Sequence, residues 1–451
     1  MGNEQLREEP MNTSRKSQGL DRRAFLRLLG MGSAGAGLLA ACGSNPWPSA
    51  GSSGSSGPAT TTTTTTAAGA AVTGSSTTTT AGAASSAPPT GARTLVVIEL
   101  DGGNDGMATL VPYGMARYHE LRPELGFDPS ELVVIDDEVG FHPGLSPLVE
   151  KGLAVVQGVG VPRPDLSHFQ MYDRWATGDQ DGTAGYRTGF LGRCADVLQG
   201  DEVATAVSLG WGESRYLAAE KALTMTLPEP DAFGFLLDEE DDYARAGLEA
   251  LTILARDGDA PILSPARRGL GAGLAFAEVL KGLPEPSTGY GEDDLGLQLA
   301  LASRLIRGNS GIRIVHVTMG SFDTHDDQRP EHDRLMGELG SNLARFVDDM
   351  NSAGRGDDVL VATVSEFGRR PEQNGSGTDH GAASVALLAG AVNPGRHGEH
   401  PPLDRLDEED DLTTTVTMNQ YLGTLASEWF GIPSEDVLPV SEPTLPGLVK
   451  V

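Results

Sequence analysis

From Thr94 onward the chain alternates short apolar runs with longer segments in which apolar positions recur every three or four residues. The short runs are "TLVVIEL" (94–100), "ELVVID" (131–136), "LAVVQGVG" (153–160), "TAVSLG" (205–210), "IRIVHVTMG" (312–320), "DVLVATVSEF" (358–367) and "SVALLAG" (384–390). Near-continuous, β-branched runs of this kind suit strands buried on both faces, as in a parallel sheet. The longer segments, among them "YARAGLEALTILAR", "LGLQLALASRLI", "HDRLMGELGSNLARFVDDM" and "MNQYLGTLASEWFG", carry helical periodicity. The pattern therefore predicts an α/β domain over 94–451: a three-layer sandwich with a mostly parallel central sheet, and a helical insertion between about Trp211 and Asn309.

The pattern is absent before that point. Residues 43–93 are almost all Ser, Thr, Gly, Ala and Pro, with seven consecutive threonines at 60–66. Such a segment has too little apolar surface to offset its conformational entropy, so it reads as a disordered tether. Residues 1–42 read as a twin-arginine lipoprotein signal, with Arg22-Arg23 ahead of a weakly apolar, Gly-rich run ending in Leu39-Ala40-Ala41-Cys42. Cys42 is the expected lipidation site, which places the chain on the outer face of the cytoplasmic membrane after twin-arginine export. Of the two cysteines only Cys194 would then be left, so no intramolecular disulfide is expected. Net charge is -30, from 63 acidic and 33 basic residues, which argues against a nucleic-acid partner.

In open α/β sheets, ligands gather beyond the carboxyl ends of the strands. The residues that follow the predicted strands are therefore informative: Asp101-Gly102-Gly103-Asn104-Asp105, then Leu166-Ser167-His168, then Ser321-Phe322-Asp323-Thr324-His325, then Glu366-Phe367-Gly368-Arg369, and finally Asp379-His380. Carboxylates mixed with imidazoles suit Zn, Mn or Fe, with Zn or Mn favoured, while an all-oxygen set suits Ca or Mg. Asp323 and His325 lie two apart in extended chain and point to one side. Glycines beside Asp101 allow close approach of backbone and ligand. Ser167, at a helix start, reads either as an N-cap or as a nucleophile activated by metal. Asn104 reads as an Asx-turn residue or a substrate contact, His168 as a packing or a substrate-binding residue, and Arg369 as a surface charge or a holder of a substrate oxyanion. His142 is expected to cap or pack, and His119, His316, His332, His397 and His400 to be structural or surface residues.

The stretches "LDGGNDGMATLVP", "PDLSHFQMYDRWATG", "GSFDTHDDQ" and "SEFGRRPEQNGSGTDHG", with the twin-arginine lead, resemble the exported bacterial domain-of-unknown-function family fifteen-oh-one. That family is similar in fold to the alkaline phosphatase and sulfatase superfamily of metal-dependent ester hydrolases. The resemblance implies an alkaline-phosphatase-like sandwich, Ser167 as nucleophile, and Asp101, Asp323, His325, Glu366, Asp379 and His380 as ligands of one or two divalent ions. Phe367 departs from the pattern, standing where an Asp-His pair would supply a second ligand. In another register Asp379-His380 is that pair, and the last ligand is left unassigned or moves to His397 or His400. Gln170 and Met171 do not fit the sulfatase signature, which disfavours a formylglycine mechanism. The expected activity is hydrolysis of a small-molecule or cell-envelope phosphate ester; the competing expectation is a non-catalytic surface module with at most one structural metal.

Overall fold

A computed structural model describes residues 92–450, apart from Trp211, 228–241 and 257–263. The signal, Cys42 and nearly all of the tether lie outside the described residues. Nine strands build the central sheet: β1 (Thr94–Leu100), β2 (Ala154–Gly160), β3 (Ala206–Leu209), β4 (Thr224–Leu227), β5 (Ile314–Met319), β6 (Val359–Val364), β7 (Ala383–Gly390), β8 (Gly395–His397) and β9 (Val416–Thr417). Their order is β8-β2-β7-β6-β1-β5-β3-β4, with β9 added beside β2. All pairings are parallel except those of β7, which runs antiparallel to both β2 and β6.

Alternation along β1 divides the core. Leu95 and Val97 face one layer, built from α1 (His168–Thr177), α2 (Phe190–Leu198) and a C-terminal helix. Val96, Ile98 and Leu100 face the other, where α3 (Asp242–Ala255), α4 (Ser264–Lys281), α5 (Asp294–Arg307) and α6 (Gln328–Ser352) lie and to whose core α4, α5 and α6 contribute Phe276, Leu299 and Leu343. The C-terminal helix, α7 (Met418–Thr424), continues into a π-turn at Leu425–Trp429 and buries Tyr421 and Trp429. A strand buried on both faces needs apolar residues at even and odd positions alike, which is why these runs lack polar alternation. The three-layer, mostly parallel sandwich is thus as the pattern predicts.

Two expectations change. The run "ELVVID" supplies only Val133–Val134 to a small separate three-stranded sheet and does not enter the central one. Strands β4, β8 and β9, two to four residues long, escape the periodicity, being too short to show it. Cys194 is buried and free, and no helix among the described residues is long and apolar enough to cross a membrane.

His332, on α6, shows how the core handles titratable groups. It is fully buried beside Phe322 and His142, with Thr109 Oγ1 3.4 Å from its Nε2. Burial pushes its imidazole down to about 4, against the attraction of Asp105. A folded value below the unfolded one of about 6.5 means the stability is full above about 6.5 and is lost as pH falls towards 4. The shift corresponds to about 3 kcal/mol. Urea unfolding of wild type and His332→Gln at pH 7 and pH 4 is expected to show wild type losing more stability on acidification by about that amount; parallel losses in the two proteins would refute a neutral His332.

Candidate metal centre

The carboxyl ends of β1, β2, β5 and β6 lie on one side of the sheet, and the segments that follow them meet there. Ser321, at φ 77°, turns the chain after β5 and delivers Asp323 and His325. Leu166, at φ 61°, turns the chain into α1 and delivers Ser167 and His168. A two-stranded antiparallel ribbon pairs Gly368-Arg369 with Gly381-His380, so Arg369 and His380 stand opposite each other. Gly102, at φ 119°, makes this crowding possible: a Cβ there would meet Asp323 N at 2.3 Å and Phe322 C at 2.7 Å. The close approach anticipated for a ligand is instead an approach of the chain to itself.

Three imidazoles face Asp323. His380 Nε2 lies 3.2 Å and His325 Nε2 3.0 Å from Asp323 Oδ1, the two nitrogens are 3.0 Å apart, and His168 Nε2 lies 3.5 Å from Asp323 Oδ2. Each ring is held through its other nitrogen: His380 Nδ1 to the Leu166 carbonyl at 2.8 Å, His168 Nδ1 to Glu366 Oε1 at 3.0 Å, and His325 Nδ1 to Asp379 Oδ1 at 3.3 Å. A carbonyl or an ionised carboxylate can only accept, so these partners assign the ring proton to Nδ1 in all three and turn the Nε2 lone pairs towards Asp323. The Phe367 ring lies under them, stacked on His380 at 4.3 Å and 5.0 Å from His168.

Charge is arranged to match. Arg369 is 1% exposed and donates from Nη2 to Asp323 Oδ1 at 2.7 Å. Burial opposes ionisation of Asp323, but Arg369 and His380 outweigh it and hold the carboxyl below its ordinary range. Burial lowers His380, assisted by Arg369 and His168 and opposed by the Leu166 carbonyl and Asp323. Glu366 is buried and raised by that burial; Oε1 accepts from Gly102 N at 2.8 Å as well as from His168, and Oε2 has no hydrogen-bond partner. Asp101 is raised by burial, by Glu99 and by Asp323, against the pull of His168.

This donor set fits a cation. The three Nε2 atoms and the Asp323 carboxylate converge on one another, and Arg369, donating to Oδ1, is the one fixed cation among the described residues that touches them; a bound ion would relieve the repulsion that is left. Ligands about 2.0–2.1 Å from a tetrahedral ion lie about 3.3 Å from each other, close to the 3.0–3.5 Å found here. Imidazole nitrogen with carboxylate oxygen suits Zn or Mn over Ca or Mg. The ligating atoms of His168, Asp323 and His380 all lie within 4.8 Å of one another, and His325 Nε2 adjoins the last two at 3.0 Å each.

Several residues thus take other places than those expected. His168, expected at the substrate, is in the cluster itself. Glu366 and Asp379, expected as ligands, stand behind His168 and His325, the usual arrangement of carboxylate behind a metal-binding histidine. Asp101 lies outside the three-residue group, at the exposed rim. Asn104 is fully buried, its side chain hydrogen-bonded to Thr109 and Ser384, and so faces no ligand. Arg369 directs its donors to the carbonyls of Gly102, Gly103, Phe322 and Thr378 besides Asp323, which leaves it no free face for a substrate oxyanion. Ser167 is half-buried between the two anchored residues Leu166 and His168 and makes no capping hydrogen bond. His142 caps Gly144 N, while His397 and His400 bond to backbone carbonyls near them in sequence.

A family model described as a protein of unknown function (DUF1501) matches residues 279–425. The span takes in Asp323, His325, Glu366, Arg369, Asp379 and His380 and leaves out Ser167 and His168. No curated protein matches the chain. Among solved structures the chain is similar to Ps i-CgsB in complex with k-i-k-neocarrahexaose, at 9% identity and TM-score 0.39 over 79% of this chain and 75% of that one. It is also similar to the C-terminal periplasmic domain of EptC from Escherichia coli, at 10% identity and TM-score 0.35 over 77% and 86%. A third likeness is to the lipoteichoic acid synthase LtaP from Listeria monocytogenes, at 8% identity and TM-score 0.35 over 78% and 75%.

Proposed function

We propose that the chain is a metal-dependent hydrolase of phosphate or related esters, with Ser167 as the nucleophile and one ion held by His168, Asp323, His325 and His380. The observation that carries this reading is the convergence of three backed imidazoles on one carboxylate. The ion, when bound, polarises an ester oxygen and lowers the pKa of a neighbouring hydroxyl. Ser167 Oγ attacks phosphorus in line, the bond to the alcohol oxygen breaks, and water later cleaves the Ser167–phosphorus bond to free the serine. The turn at Leu166 and the anchored His168 hold the Ser167 backbone on both sides.

Ser167→Ala is expected to lower kcat on aryl phosphates by about 10³-fold or more while leaving the metal content at the wild-type ratio. Equal turnover by the two metal-loaded proteins would eliminate Ser167 as nucleophile. Phe367 favours the second reading, a binding module with one structural ion: its buried ring occupies ground that another ligand would need for a two-ion site. Stoichiometric metal with no turnover of any ester would establish that alternative. The sequence lead further supports attachment at Cys42 to the outer face of the membrane; a Cys42→Ser protein that still sediments with membranes would overturn the lipid anchor.

A further inference from the structure

Phe169 is 89% exposed, and no other Phe, Tyr or Trp among those whose burial is described is exposed. Single exposed apolar residues are ordinary on protein surfaces, so exposure alone assigns nothing. Its position does. It follows Ser167 and His168 directly in the first turn of α1, whose Met171 and Trp175 turn into the core while His168 faces Asp323. The helix is held at this end by the His168–Glu366 hydrogen bond, and a phenyl ring has only two side-chain torsions to fix.

Ser167 and Phe169 lie two residues apart at one helix start, a separation that the alcohol half of a bulky ester can span. We propose that Phe169 is a stacking platform for that alcohol half, and that the alcohol is a hydroxylated ring of the pyranoside type. A sugar ring offers an apolar C–H face to an aromatic and a polar edge to hydrogen-bonding groups. Both are provided for at the rim: Arg163, Asp165 and Gln170 are exposed in the same turn and helix start, and Arg163 and Asp165 form no ion pair among the described residues. A bare aryl ring would have no use for them.

This assignment rests on the hydrolase reading, and the test separates the two. For wild type and Phe169→Ala, kcat/KM is measured on a hexose phosphate, phenyl phosphate and ethyl phosphate. The hexose-to-ethyl ratio is expected to fall about five- to tenfold in the variant, with the change in KM. An unchanged ratio, or an equal fall on all three esters, overturns the platform. A fall confined to phenyl phosphate overturns the sugar assignment. If wild type turns over none of the three, the zinc-loaded Phe169→Trp protein is titrated with a hexose phosphonate and its emission compared with wild type. A spectral change unique to the variant keeps the platform while the hydrolase reading falls; no change ends the platform too.

Discussion

Asp323→Asn protein, dialysed against metal-free buffer and analysed for bound elements, is expected to hold background zinc where wild type holds about one ion per chain. Asp323 reaches all the other members of the cluster: both His325 and His380 through Oδ1, and His168 through Oδ2. Replacement by Asn keeps an oxygen for Arg369 but removes the negative charge that balances the ion. Removing an orienting group behind a ligand costs about 10- to 100-fold in affinity; losing the central anionic ligand costs more. Asp379→Asn gives the scale, since Asp379 acts only through His325 and should therefore weaken zinc within that range. Retention of wild-type zinc by Asp323→Asn, in protein with an unaltered circular dichroism spectrum, would show that the imidazoles do not enclose an ion.

The sheet was legible because both-face burial imposes a pattern visible in one sequence: continuous apolar runs at β1, β2, β5 and β6. The antiparallel direction of β7 was not, since "SVALLAG" reads the same in either sense. At the site, reading the residues after each strand picked out segments that meet there but did not distinguish the side chains that face Asp323 from those behind them. Glu366 and Asp379 carry the same carboxylate chemistry as Asp323. Only burial and the direction of each imidazole separate the roles, and those are tertiary facts. Backbone contributions were beyond reach for a stronger reason. The Leu166 carbonyl that fixes His380 leaves no mark in residue type, and Arg122, which pairs with buried Asp105 at 2.6 Å, sits in a stretch without any local signal. Phe367 looked like a departure from a metal-binding pattern; its ring is the floor on which two of the histidines rest.

Arg369 is the side chain on which this arrangement most depends, although it has no donor free for a substrate. Its Nε donates to the Gly103 carbonyl at 2.9 Å, Nη1 to Thr378 at 2.8 Å, and Nη2 to Gly102, Phe322 and Asp323. One guanidinium thus joins the loops after β1, β5 and β6. Arg369→Ala leaves four carbonyl oxygens without that donor and the Asp323 carboxylate without its counter-charge. The Asp323 side chain is 46% exposed at that pair, so the loss comes mainly from the carbonyl oxygens left without a donor, about 1–3 kcal/mol for a buried one. Arg369→Lys should recover only a small part, because an ammonium cannot reproduce a planar fork that reaches three loops. Urea unfolding should therefore show both variants less stable than wild type, alanine by that full range. Zinc cannot conceal the loss: at 100 times its dissociation constant a ligand adds about 2.7 kcal/mol, and it adds the same to wild type. Arg369→Ala with wild-type stability would mean that the three loops are held by the ion alone, and in that case chelation should unfold the wild-type site to the same extent.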